Sequence, residues 1–194
     1  VVKELKPLTP AQEAEALWLQ GAALVEKGRS SEAQALLEQC LQRHPAHLKA
    51  RQTLVMLALE AGRRAEAENL LRQGISLHPG MVWFPRSLAQ LYLQQGDYAQ
   101  AASVLKDGLG RQAEAEDWAL YASTLAKLNQ PEDTATAYRE ALRRDPSQGA
   151  WWIGLGVALE QGGHAAEARA AYQRALQSRL GPELRDFAAA KLKE

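Results

Sequence analysis

Few residues in this chain have the type and spacing for chemistry. His44 and His47 straddle Pro45 as His-x-x-His, a spacing at which two imidazoles can share a zinc ion, but zinc takes at least three protein ligands and no third one is evident. His78 recurs at the turn position of His44, so both read as solvated turn residues. The lone cysteine, Cys40, allows neither an internal disulfide nor a cysteine-based metal site. It falls in a column of small side chains and reads as a buried, inert thiol. Gly154-Leu155-Gly156 is half of a dinucleotide fingerprint, yet no strand precedes it. A phosphate-cradling loop, a Gly-x-Ser-x-Gly elbow, a His-Glu-x-x-His pair and a calcium loop are all missing from the sequence. The chain is therefore expected to be no enzyme, with no catalytic residue, no metal ligand and no cofactor.

The elements that would position any functional residue are set by a period. Gly28, Gly62, Gly96, Asn129 and Gly163 each close an apolar-periodic helical segment, at spacings of 34, 34, 33 and 34 residues, and such residues end helices by turning left-handed. With that residue as position fifteen, position eight is small (Gly21, Val55, Ala89, Ala122, Gly156), as is position twenty-seven (Cys40, Gly74, Gly108, Ala141, Ala175). Large residues fill position eleven (Leu24, Ala58, Tyr92, Leu125, Leu159, with one alanine) and position twenty-four (Leu37, Leu71, Leu105, Tyr138, Tyr172). An aliphatic column follows at Leu41, Ile75, Leu109, Leu142 and Leu176. Small columns facing large ones predict antiparallel helix pairs that nest closely. Pro45, Pro79 and Pro146 end second helices; the third repeat has Ala113 there and is one residue short, and the fifth has Leu180.

This helix–turn–helix pattern of about 34 residues resembles the tetratricopeptide repeat (TPR) family. The likeness is strongest in Trp152-Ile153-Gly154-Leu155-Gly156-Val157-Ala158-Leu159 with Ala168, Tyr172 and Ala175. It implies an all-α fold, a right-handed superhelix of five helical hairpins plus a C-terminal capping helix. The expected division is a linker end at 1–9, repeats at about 14–47, 48–81, 82–114, 115–148 and 149–181 within 10–181, and the cap at 182–194. Thr9-Pro10-Ala11-Gln12 reads as a capping box, and Asp97-Tyr98-Ala99-Gln100 follows the same logic. Gly181-Pro182 starts the last helix, through about Lys193, whose apolar face of Leu184, Phe187, Ala188 and Leu192 is expected to cover the open end of the stack.

In that family the first helix of each repeat lines a concave groove through positions two, five, nine, twelve and thirteen. The resemblance thus implies a partner-binding surface of Trp18, Ala22 and Val25, then Lys49, Gln52, Met56 and Leu59, then Trp83, Arg86, Gln90 and Leu93, continued by Glu116, Ser123 and Lys127 and by Ile153, Val157 and Glu160. Trp118 and Trp152 at position four are core residues on this reading, whereas Trp18, Trp83, Phe84 and Trp151 stand outside the core columns. The first three repeats offer an apolar surface of the kind that marks a partner site. The expected occupant is an amphipathic helix or an extended apolar peptide; the chain's own linker or a second copy are the alternatives, with Trp151 and Phe84 as candidates for self-association. Family members that dock chaperone tails grip a terminal carboxylate with lysine, asparagine and arginine; here position five reads Trp18, Gln52, Arg86 and position nine Ala22, Met56, Gln90, and with the asparagines missing that docking is not expected.

A narrower likeness lies in Trp151-Trp152-Ile153-Gly154-Leu155-Gly156-Val157-Ala158-Leu159-Glu160, the preceding Tyr138-Arg139-Glu140-Ala141-Leu142, Phe187, the opening Pro7-Leu8-Thr9-Pro10-Ala11-Gln12, and Ala50-Arg51 with Leu54. These resemble the C-terminal part of the MshN family, biogenesis proteins of the mannose-sensitive haemagglutinin (MSHA) type IV pilus. The resemblance implies a bacterial envelope assembly factor with periplasmic repeats and an upstream inner-membrane anchor; a generic TPR adaptor in another envelope or cytosolic complex, and the non-catalytic part of a larger enzyme, are the other readings. The chain opens on Val1, as a fragment or processed product would, which leaves room for such an anchor. Its 23 basic residues balance 23 acidic ones, so no overall field favours nucleic acid or an anionic membrane.

Overall fold

A computed structural model describes residues 6–194. The expected linker over 1–9 lies outside them up to residue 5, and Lys6 to Thr9 precede the first helix. The described residues form the α-helices α1 (Pro10–Glu26), α2 (Ser30–Arg43), α3 (Leu48–Glu60), α4 (Arg64–Leu77), α5 (Trp83–Gln94), α6 (Tyr98–Gly108), α7 (Ala115–Lys127), α8 (Pro131–Arg144), α9 (Gly149–Gln161), α10 (Ala165–Leu176) and α11 (Pro182–Lys191). No named strand occurs among the described residues, and none of their helices is long and apolar enough to cross a membrane. The chain divides into two compact units, the first ending at Pro79 and the second running from Gly80 to Glu194. In each unit every helix packs on the next one, and in the second α11 closes on α9 and α10.

Each hairpin is turned by the residue that the period singled out. Gly28, Gly62, Gly96 and Gly163 have φ of 72°, 72°, 75° and 82°, and Asn129 has 53°. In every case the following N–H reaches back to the carbonyl of position eleven: Arg29 to Leu24, Arg63 to Ala58, Asp97 to Tyr92, Gln130 to Leu125 and His164 to Leu159. This is the 6→1 bond of a Schellman motif, which satisfies a helix-end carbonyl and forces the left-handed residue before it. Asn129 is the one position where a side chain bears that conformation.

The packing of small on large is literal. A Cβ on Gly21 would meet Leu37 Cδ2 at 2.9 Å, and one on Gly156 would meet the Tyr172 ring at 2.5 Å. In both hairpins position eight of the first helix receives position twenty-four of the second. Tyr138 uses the same column to lie on Gly154 of the next hairpin, 2.5 Å from where a Cβ would stand. Leu37, Leu71 and Leu105 are fully buried, and Tyr172 is 2% exposed.

Three local expectations change. Leu109 is not helical: α6 stops at Gly108, and Leu109 is an extended C-cap, as suits a segment that carries Gly108 and Gly110 and lacks the turn proline. The last helix stops at Lys191, two residues early. Of its apolar face only Ala188 is fully buried, with Leu192 packed on the core, while Leu184 and Phe187 remain 39% and 38% exposed. Polar straps hold this cap as much as apolar area does: Arg169 donates to the Leu192 carbonyl, Arg185 to that of Leu176, and Lys191 pairs with Glu160. The two anticipated N-caps are present. Thr9 and Gln12 form a reciprocal capping box, and the Asp97 side chain accepts from the Gln100 N–H.

Candidate functional site

In the first unit, Trp18, Ala22 and Val25 recur at i, i+4 and i+7 on α1, and Gln52, Met56 and Leu59 do so on α3, so each set shares one helix face. The faces adjoin, because Lys49 Nζ lies 4.8 Å from the centre of the Trp18 ring and the His47 ring tilts against the same indole at 5.8 Å. Trp18 and Val25 are half-buried against the core of Ala14, Leu37, Leu54 and Leu57, so they are the floor of this face. Its open part is Met56, 55% exposed, and Leu59, 38% exposed, with half-buried Gln52 beside them. Trp18 Nε1 is buried and has no hydrogen-bond partner. Leu19, 56% exposed, was not expected; position six is no groove position in the family pattern, and only its apolar side chain next to Trp18 signals it.

In the second unit the expected residues are more often committed. Trp83 packs its edge on Phe84, rings 5.1 Å apart, and Phe84 is fully buried, which removes it as a surface for self-association. Trp151 is half-buried against the core of this unit. Gln90 is exposed and Leu93 half-buried. Arg86 is not a free groove cation: its Nε and Nη2 form a side-on fork on the two carboxylate oxygens of Asp117, which is 1% exposed and also accepts from the Glu114 N–H. The bonded carboxylate raises the Arg86 pKa. Glu116, Ser123 and Lys127 are exposed on α7. On α9, Ile153 is only 7% exposed and belongs to the core; position five is covered there, which corrects its assignment to a binding surface. Val157 packs half-buried on that core. Glu160 accepts from the Tyr172 hydroxyl at 2.6 Å and from Lys191 at 3.0 Å, bonds that hold its pKa below the ordinary value and tie it to the cap.

The residues weighed for metal or redox chemistry have structural duties. His47 Nδ1 accepts from the Ala50 N–H and so caps α3, while Nε2 lies 2.9 Å from Glu15. Cys40 is fully buried, and burial pushes its thiol pKa up to about 11, which leaves the reactive thiolate scarce at neutral pH.

Position four holds what the sequence reading passed over. In the second unit it carries Trp118 and Trp152, the latter donating from Nε1 to the Pro146 carbonyl at 2.9 Å. In the first unit the same place on α3 is Arg51, 3% exposed, whose Nη2 makes the equivalent bond to the Pro45 carbonyl at 2.9 Å. A charged residue in a column of Leu17, Pro85, Trp118 and Trp152 was visible in the sequence as an exception.

The tetratricopeptide-repeat family models match residues 24–80, 58–128 and 120–184. Similar solved structures include YrrB, described as a TPR protein with an unusual peptide-binding site, at 13% identity over 93% of this chain and 92% of that one with a TM-score of 0.70. MamA from Desulfovibrio magneticus RS-1 is 16% identical over 85% and 94% of the two chains, TM-score 0.63. PilF of Pseudomonas aeruginosa is 15% identical over 94% and 90%, TM-score 0.61. At these identities the likeness is one of fold. No curated protein sequence matches the chain. The matched models span well over half of the residues, and the period, the left-handed turns and the small-on-large packing are those of the matched motif: the chain belongs to the tetratricopeptide-repeat family, whose members are generally non-catalytic scaffolds that bind peptides or proteins.

Proposed function

We propose that this chain is a non-enzymatic scaffold that captures an apolar-faced peptide segment of a partner protein on the α1/α3 face of its first unit, in the assembly of an MSHA-like type IV pilus. The supporting observation is Met56 and Leu59, both large, apolar and open to solvent, on a face floored by Trp18 and edged by Lys49 and Gln52. Side chains of that kind that stay exposed on a folded unit gain free energy when a partner covers them, about 25 cal/mol per Å² of apolar surface. The pilus assignment rests on the sequence likeness to the MshN family, and with it go a periplasmic location and an inner-membrane anchor upstream. The fold shared with PilF is compatible with this but carries no function across at 15% identity. A generic adaptor role in another complex is the competing reading.

The clean probe is the pair Met56→Ser/Leu59→Ser, because Trp18 also supports the core and its loss confounds binding with stability. Affinity capture from solubilised bacterial envelopes should recover pilus-assembly proteins with the native chain and lose them with the double variant, at unchanged helical content by circular dichroism. Undiminished capture by the double variant sinks the face. Capture that depends on the face but yields no pilus component sinks the pilus assignment and leaves the adaptor.

A further inference from the structure

Arg51 is a buried cation to which no carboxylate of the described residues is bonded. Nη1 donates to the Gln73 side chain at 2.8 Å and to the Leu70 carbonyl at 3.4 Å, Nη2 donates to the Pro45 carbonyl, and Nε is buried without any partner. Among the described residues none forms an ion pair with it. Burial alone lowers its pKa, with no acidic neighbour acting in the other direction, and a guanidinium stays charged in spite of that. Five N–H groups and three bonds leave two donors without a partner: the buried Nε–H and one N–H of Nη2.

The second unit shows what such a pair of donors takes. On Arg86 the same Nε and Nη2 edge is filled by the two oxygens of Asp117. Side-on pairing of guanidinium with carboxylate is the strong, planar form of this contact. Arg51 has the edge and lacks the acid.

The surroundings narrow the ligand. Arg51 lines a cleft between α2 and α4 whose walls are Leu41, Pro45, Leu54 and Leu70, with Gln42 and Gln73 among its polar lining. Of the acids that also line it, Glu66 is paired with Arg63 and accepts from Gln34 as well, while Glu38 accepts from the neutral Gln34 amide and keeps its charge. From Glu38 to Gln42 the α2 wall runs for roughly 6 Å at 1.5 Å per residue, the reach of about two residues of extended chain, and Pro45 continues it past the helix end. A trough of that length accepts a chain passing through it.

We propose that this cleft is a second recognition site, in which the open edge of Arg51 binds the side-chain carboxylate of an aspartate or glutamate set between apolar residues in an extended segment of a protein partner. The apolar walls take the flanking side chains, and the glutamines are placed to bond the segment's backbone. The site is lined from α2, α3 and α4 by residues that include neither Met56 nor Leu59, and stands whether or not the α1/α3 face binds anything.

The test uses the whole chain and three synthetic peptides: acetyl-Val-Leu-Asp-Leu-Val-amide, its Asn counterpart, and the Asn peptide with a free C-terminal carboxylate. The readout is the Nε–H cross-peak of Arg51 in a ¹⁵N-correlated NMR spectrum, assigned by its loss in Arg51→Lys. The Asp peptide should shift this peak and bind at least tenfold more tightly than the blocked Asn peptide. Arg51→Leu, which restores an apolar residue of the position-four type, should keep the helical content and abolish the difference between the peptides. An Arg51 peak unmoved at millimolar Asp peptide overturns the proposal, as does equal binding of the Asp and blocked Asn peptides. A shift produced only by the free-carboxylate peptide overturns it too, by assigning the edge to a chain terminus. Discrimination that survives in Arg51→Leu places the carboxylate elsewhere and has the same effect.

Discussion

Arg51 in the first unit and Arg86 in the second are both arginines on the first helix of a hairpin, one residue apart in the repeat frame, yet their guanidinium groups meet different fates. Arg86 is closed on Asp117, which in turn caps its own helix, so charge, hydrogen bonding and helix start are satisfied by one carboxylate. Arg51 is held by two backbone carbonyls and an amide and keeps an edge unfilled. The rest of the two units differs only in part, since the second also leaves Leu184 and Phe187 39% and 38% exposed. The second unit stacks Arg144 on Trp118 and Arg174 on Trp152 and joins Tyr172, Glu160 and Lys191 into one network, whereas the first leaves Met56, Leu59 and Leu19 uncovered. One repeat architecture thus holds a guanidinium in two ways, closed on a carboxylate in the second unit and with one donor left unpartnered in the first.

Two substitutions test this difference, one removing the acid that closes on Arg86 and the other removing Arg51 itself. Asp117→Ala strands a partly buried guanidinium and an N-terminal N–H, and should cost about 3 kcal/mol, the low end for breaking a buried pair because Arg86 retains some solvent. Arg51→Leu removes an ion that has no counter-ion and should leave stability within about 1 kcal/mol of the native chain. Urea unfolding followed by circular dichroism measures both; equal losses would show that Arg51 is as fully satisfied as Arg86. A second contrast sets two glycines of one column against each other. Gly156→Ala drives a methyl into Tyr172, whose hydroxyl is tethered to Glu160, and should cost about 2 kcal/mol even after the gain in helix propensity. Gly21→Ala brings its methyl 2.9 Å from Cδ2 and 3.0 Å from Cγ of the fully buried Leu37, an aliphatic side chain with no hydrogen-bond tether, and after the same propensity gain should cost about 1 kcal/mol in the same assay.

How far these outcomes were legible in the sequence differs by layer. Helix ends and hairpin packing were readable because they depend on residue type at fixed spacing: left-handed turns need glycine or asparagine, and Gly156 faces Tyr172 because their separation is constant. The open face was readable in part. Met56 and Leu59 are exposed, as a groove position requires, but Ile153 is buried, since exposure at position five depends on what the neighbouring helices stack over it. The Arg86–Asp117 pair escaped notice because 31 residues separate its members and either residue alone looks like ordinary surface charge. Arg51 was visible as an odd residue in an apolar column, but nothing in the sequence says whether an acid reaches it.

Acid should loosen the second unit at its cap before it affects the first unit's open face. The Tyr172 hydroxyl, first, and then Lys191 hold the Glu160 pKa below its ordinary 4.5. A depressed carboxylate pKa contributes stability that is complete above the unfolded value and is lost as pH falls through the folded one. The contacts of α11 with Glu160 should therefore persist at neutral pH and fade below about pH 4.5, seen as movement of the Ala188 and Ala189 methyl resonances through an acid titration. Tyr172→Phe removes the larger cause, so the transition should shrink and move to higher pH. Methyl shifts that ignore acid in both proteins would mean that the cap is held by Ala188 and Leu192 alone.

The smallest effect concerns the five turns, where the two units differ by a single residue. Both turns of the first unit are glycines, and the second unit alone contains Asn129 at φ 53°. A left-handed conformation costs a residue with a Cβ about 1 kcal/mol, and asparagine softens that cost by bonding locally. Asn129→Gly relieves the residual strain and gives back part of it as unfolded-chain entropy, so a net gain of about 0.5 kcal/mol is expected. Gly96→Asn, the reverse change in the same unit, should lose about as much. If both variants lose stability, the Asn129 side chain contributes more than its backbone angle, and the turn between α7 and α8 is specified by asparagine and not merely tolerant of it.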